Sequence, residues 1–183
     1  MATLGYTTVG GTGGGGVANQ FEVAGPFTAA SSGTLTDMTF SGASNAGTVH
    51  VTMGVYNDSA GSPGTLLATS AEITVNNTTP QLWTGAISGS IVSGQAYWIA
   101  ISFDGGTVIN HDGATPPPDG RHGTSTYSAG SLPGTPPSTS AFGGVLRTMY
   151  ATYTAGSGSS AALSGSASTS AQTAPSTSRT IGL

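Results

Sequence analysis

The sequence predicts an all-β fold, an antiparallel β-sandwich of jelly-roll-like form with extended arms at both ends. Three observations predict it. Polarity is carried by Ser, Thr, Asn and Gly rather than by charge, since charged residues make up 5 % of the chain, against about 25 % in an average globular protein. Short apolar segments alternate with a period of two between clusters of Gly, Pro and Asn, the pattern of half-buried strands and the turns that join them. No stretch carries a 3.6-residue apolar period over a helix-like length. At 183 residues the chain accommodates one domain with a sizeable core.

The elements follow in chain order. Residues 1–19 contain the run Gly10-Gly11-Thr12-Gly13-Gly14-Gly15-Gly16, and this composition predicts a flexible N-terminal arm. The sandwich is expected over residues 20–154. Its first strand is 20–27, with Pro26 marking an edge. The next is 34–41. Residues 48–57 give the clearest alternation, with Val49, Val51, Met53 and Val55 on one face. After a turn-rich loop around Pro63-Gly64, strands are expected at 66–75 and 81–87. In 96–103, Tyr97, Ile99, Ile101 and Phe103 alternate inward, so Trp98 faces the other way and calls for a covering loop or subunit. Further strands are expected at 107–111, 122–127 and 145–154. About nine short strands at this spacing suit a sandwich. Residues 155–183, rich in Ser, Ala and Gly, predict a C-terminal arm with little to bury.

Composition excludes several classes of function. There is no lysine, and the cations are Arg121, Arg147 and Arg179; nucleic-acid binding needs a basic stripe that displaces counterions. Membrane spanning by a helix needs an apolar run of about 20 residues, and none is present. Net charge is −4 with two Trp, six Tyr and five Phe, a balance that favours folding over disorder. Cysteine is absent. The segment from Met1 to Tyr6 has neither a basic nor an apolar leader region, so no signal peptide is expected.

The middle of the chain carries a recognisable motif. Gly54-Val55-Tyr56-Asn57-Asp58 leads to Gly61-Ser62-Pro63-Gly64-Thr65-Leu66-Leu67-Ala68-Thr69-Ser70, then to Trp83, then to Val92-Ser93-Gly94-Gln95-Ala96-Tyr97-Trp98-Ile99-Ala100. Over residues 20–103 this resembles a recurring β-sandwich module of phage virion proteins and bacterial secreted proteins. The resemblance implies a structural role: a non-catalytic capsid decoration or head-fibre subunit, or less readily a tail component, at the virion surface. A virion protein leaves its host by lysis, which would reconcile an extracellular composition with the missing leader. The expected partners are further copies in a symmetric homo-oligomer and a major capsid or other virion protein, with no cofactor. The same scaffold also carries adhesion and sugar binding, so the alternatives are a carbohydrate-binding or adhesin module at a cell surface and an extracellular filament subunit.

Residues able to carry chemistry are few. Asp104, Asp112 and Asp119, with His111 and His122, form the densest group of possible ligands. Carboxylates on sandwich loops can hold Ca²⁺ through oxygen, but no D-x-D-x-D-G run is present and the favoured expectation is solvated loop residues. Gly11 to Gly16 matches G-x-G-x-x-G formally, yet a strand follows it where phosphate binding needs a helix N-terminus. No G-x-S-x-G elbow or evident carboxylate pair supports hydrolysis. Trp83 and Tyr127 are the candidates for stacking on a surface glycan, against the plainer role of packing.

Overall fold

The computed structural model describes residues 1–113, 119–141 and 145–156. Those residues form two antiparallel sheets packed face to face, without a helix among them. The first sheet runs β1 (Ala2–Tyr6), β14 (Met149–Ala155), β4 (Gly33–Ser44), β10 (Thr107–Gly113) and β13 (Val145–Arg147). On it, β8 (Gln81–Ile91) pairs with β4, and β2 (Thr12–Gly16) pairs with β10. The second sheet runs β12 (Ser140–Ala141), β11 (Asp119–Thr124), β3 (Gln20–Thr28), β9 (Ala96–Phe103), β5 (Val49–Asp58) and β6 (Pro63–Thr69). A short strand, β7 (Ile73–Val75), also pairs with β5.

Alternation places the core. Val49, Val51, Met53 and Val55 of β5 and Tyr97, Ile99, Ile101 and Phe103 of β9 point between the sheets. They meet Leu35, Met38 and Phe40 of β4 and Met149, Ala151 and Tyr153 of β14. Trp98 does face the other way and is fully buried there, in a second cluster with Phe21, Val23, Tyr56, Ala100 and Leu132. The cover is the irregular segment after β11. Tyr56 Oη donates to the Pro133 carbonyl at 2.7 Å, Leu66 N donates to the Gly134 carbonyl at 3.0 Å and Gly130 N donates to Thr52 Oγ1 at 3.0 Å. Burying aromatics on the outer face of a sheet in this way lets one strand serve two cores.

The N-terminal segment departs from expectation. Residues 2–6 and 12–16 are not an arm: they are β1, in register with β14 from Ala2↔Tyr153 to Tyr6↔Met149, and β2, in register with β10 from Thr12↔His111 to Gly16↔Thr107. Close approach explains Gly14 and Gly16. A β-carbon at Gly16 would stand 2.3 Å from the Phe103 ring, and one at Gly14 would stand 2.2 Å from Arg147 Nη1. Thr148 pins the connection between the two strands, because its Oγ1 donates to the Thr8 carbonyl and accepts from Gly10 N. A run that reads as a linker is thus a strand whose missing side chains let it lie on the core.

Smaller differences have local causes. The strand expected at 66–75 divides into β6 and β7, since Ser70 and Ala71 turn aside to bond Ile87 and Ala86 of β8. The one expected at 145–154 divides at Thr148, whose backbone N donates to the Asn110 carbonyl while its own carbonyl accepts from Ser41 N. β8 runs on to Ile91, and β11 covers Asp119–Thr124 in place of 122–127. Gly94, at φ +76°, makes the turn that leads into β9. Of the expected C-terminal arm, residues 157–183 lie outside the described residues.

Candidate functional site

The chemistry concentrated in this molecule lies inside it. Glu22 on β3 and Arg147 on β13 belong to different sheets and meet between them, with Arg147 Nε 2.8 Å from Glu22 Oε2. Arg147 Nη2 donates to Glu22 Oε1 at 3.2 Å, and Gln20 Nε2 donates to the same oxygen at 3.1 Å. Glu22 is 0 % exposed and Arg147 6 %. Burial holds the Glu22 carboxyl above the usual carboxylate range, and the Arg147 guanidinium offsets only part of that rise. His111 stands beside Gly14 with Arg147; burial first, and then the Arg147 charge, hold its imidazole below the usual histidine range. A charged pair in this position is costly unless both partners are satisfied, and here the partners tie one sheet to the other.

The exposed acids make local ties. Asp104 accepts from His50 N through Oδ1 at 2.7 Å and contacts His50 Nδ1 through Oδ2 at 2.7 Å. The hydrogen bond to Asp104 raises the affinity of His50 for its proton. Asp112 accepts from Tyr6 Oη at 2.8 Å and from Gly11 N at 3.0 Å. Those two bonds, the tyrosine first, hold its carboxyl below the usual range. Asp104 therefore ties β5 to the end of β9, whereas Asp112, at the far end of β10, ties down β1 and the loop to β2.

Of the possible Ca²⁺ ligands, the structure leaves Asp104 and Asp112 at opposite ends of β10. Asp119 pairs with Gly25 on β3, and His122 stands in register with Glu22. Among the described residues, no three His, Asp or Glu side chains gather as a metal centre would need. The glycan candidates are also separated. Trp83, on β8 of the first sheet, is half-buried against the core and donates its indole N–H to the Gly42 carbonyl at 2.8 Å. Tyr127 lies over the outer face of the second sheet, where its hydroxyl donates to Glu72 Oε2 at 2.8 Å and meets Thr52 Oγ1 at 3.3 Å. Burial raises its phenol above the ordinary tyrosine range. The two rings form no common platform.

A third arrangement sits on the outer face of the second sheet. Trp98 Nε1 donates to Asp58 Oδ1 at 2.8 Å, and the Arg121 guanidinium lies 5.0 Å from the centroid of the indole ring. Arg121 also donates to Ser62 Oγ and to the Gly61 carbonyl, so it clips the β5–β6 turn onto the tryptophan. Beside this turn lies an open groove of about 460 Å³, lined by Asn57, Asp58, Leu67, Val92, Gln95 and Tyr97 among others. Much of its polarity is already engaged. Asp58 holds Trp98 and Gly61 N, Asn57 Oδ1 accepts from Thr65 N, and Tyr97 Oη accepts from Val92 N.

Fold and site together define an all-β antiparallel sandwich whose ionisable side chains join strands to one another. No family model matches the chain, and no curated protein or solved structure matches it. Sequence reasoning missed the Glu22–Arg147 pair. Local alternation points the other way: a carboxylate between Phe21 and Val23 reads as solvent-facing, and only the cover over Phe21 and Val23 on the outer face turns Glu22 inward.

Proposed function

We propose that this chain is a non-catalytic structural protein of a virion, a capsid decoration or head-fibre subunit that binds its neighbours as a symmetric homo-oligomer on a capsid surface. The observation that carries the reading is the outer face of the first sheet. With Leu35, Met38 and Phe40 turned inward, β4 and its neighbours leave Thr3, Thr34, Thr84, Ser90 and Thr152 outward, with Asp37 in register between Thr152 and Ala86. Thr39 and Thr84 are already joined through their hydroxyls at 3.0 Å. Such a face adheres by hydroxyl and backbone hydrogen bonds, whose strength salt does not screen as it screens ion pairs. Each contact is modest, and repetition over a symmetric surface multiplies it.

Two further features support the reading: the resemblance of residues 20–103 to a β-sandwich module of phage virion and bacterial secreted proteins, and the Ser/Ala/Gly-rich composition of 157–183, suited to lying across a neighbour. With β1 and β2 built into the first sheet, the anchoring role passes from two arms to that one. Mass spectrometry of purified particles is the test. The chain should be present in numbers that match a symmetric lattice, and deletion of residues 157–183 should lower its occupancy. Particles lacking the chain would overturn the assignment, and full occupancy after the deletion would overturn the anchoring.

A further inference from the structure

The edges of the two sheets are not treated alike. Along β6, Leu66 N donates to the Gly134 carbonyl and Thr69 Oγ1 to the Gly130 carbonyl, so the loop after β11 covers that edge. β8 is capped midway by the Ser70↔Ile87 bridge and by Ala71 N donating to the Ala86 carbonyl. β1 pairs with β14 on one side, and among the described residues no strand lies on the other. Natural sheets protect such an edge with Pro, Lys or a bulge. Ala2-Thr3-Leu4-Gly5-Tyr6 has none of these, and its register with β14 is unbroken.

The geometry points to an occupant: we infer that the free edge of β1 takes residues 176–183 of a second copy as an added antiparallel strand. That segment, Ser-Thr-Ser-Arg-Thr-Ile-Gly-Leu, follows Pro175 and places Thr177, Arg179, Ile181 and Leu183 on one side of an extended chain. Its eight positions more than match the five residues of β1. Ala2, half-buried at the margin of the core, gains apolar cover from Ile181 or Leu183. Backbone bonds give affinity and the alternate side chains give register, as in other strand additions.

Direction selects a second copy over the same chain. β14 runs from Met149, opposite Tyr6, to Tyr153, opposite Ala2, so the chain leaves the sheet at the Ala2 end of β1 and passes Ser32, whose carbonyl accepts from Gly156 N. A tail that turned directly onto the free edge would run parallel to β1. Every strand pair described in either sheet is antiparallel. The tail of a neighbour, entering from the Tyr6 end, runs antiparallel with no return crossing. Residues 157–175 can extend over up to about 60 Å, enough to bridge two such domains.

This deepens the reading above by naming one partner as another copy of the chain, and its test uses purified protein, apart from any particle. The full chain and a variant lacking 176–183 are compared at about 100 μM by light scattering, hydrogen exchange and thermal melting. The full chain should associate, and the β1 amides should exchange at least about tenfold more slowly than in the truncated variant. The variant should be monomeric with an unchanged melting temperature. Association that survives the truncation, or β1 protection that does not change with it, would overturn the inference. So would a monomeric full chain, including one whose truncation lowers the melting temperature, the outcome expected if the tail adds to its own sheet.

Discussion

Glu22 shows how much depends on one residue in a chain this poor in charge. Its carboxylate has no exposure, and what makes its ionised form tolerable is the Arg147 guanidinium at 2.8 Å with the Gln20 amide at 3.1 Å. Removing one partner strands the other as an uncompensated charge between the sheets, which costs more than the pair contributes. Arg147→Met should therefore lower the unfolding free energy by about 3–5 kcal/mol, read from urea denaturation. The double variant Glu22→Leu/Arg147→Met should recover most of that loss. If the single variant were as stable as the parent, the pair would have no structural role. The sequence held half of this information. The alternation of Phe21 and Val23 sets Glu22 on the other face of β3, but which face is the core is decided by the loop that covers Phe21 and Val23, and nothing local in Val145-Leu146-Arg147 points to the partner.

β2 is the element the sequence misrepresents most. Glycine lowers strand propensity and raises chain entropy, so a run of five residues that includes Gly13, Gly14, Gly15 and Gly16 reads locally as a linker. Its pairing with β10 is decided by what lies underneath. Phe103 under Gly16 and Arg147 under Gly14 leave no room for a side chain at either position, so glycine there lets β2 bond β10 while covering those groups. Gly16→Val should drive a side chain into the Phe103 ring and detach β2, lowering the melting temperature by several degrees. Gly11→Val, at a site where an added β-carbon meets open space, should leave it within about 1 °C, in line with the small effects of surface substitutions. Equal melting temperatures for the two variants would mean that β2 does not pack as described. The long β5 and β9 stand at the other extreme. Their two-residue period fixed both strands and the inward set, and it also placed Trp98 on the opposite face with a need for cover.

At the scale of the molecule, the first and last described strands are joined. β1 pairs with β14 across nearly the whole sequence, and β14 also lies along β4. The first sheet is thus incomplete until the last described strand is in place, and sheets built from distant pairings form slowly because loop closure precedes their contacts. Truncation after Thr148 should leave β1 and β4 without a shared partner and give a chain that lacks cooperative unfolding. Truncation after Gly156 should retain a sharp melt. Far-UV circular dichroism with temperature separates the outcomes, and a cooperative melt for the shorter chain would show that the second sheet folds alone.

By itself the sequence determined the fold class and the faces of the strands at 48–57 and 96–103. Each follows from local alternation or from composition, properties that a chain carries before it folds. The tertiary structure alone decided that residues 2–6 and 12–16 are strands, that Glu22 finds Arg147, and that Trp83 and Tyr127 lie apart. Those outcomes depend on which distant surfaces meet, and in a sheet protein such pairings are fixed by packing across the whole chain rather than by neighbours in sequence.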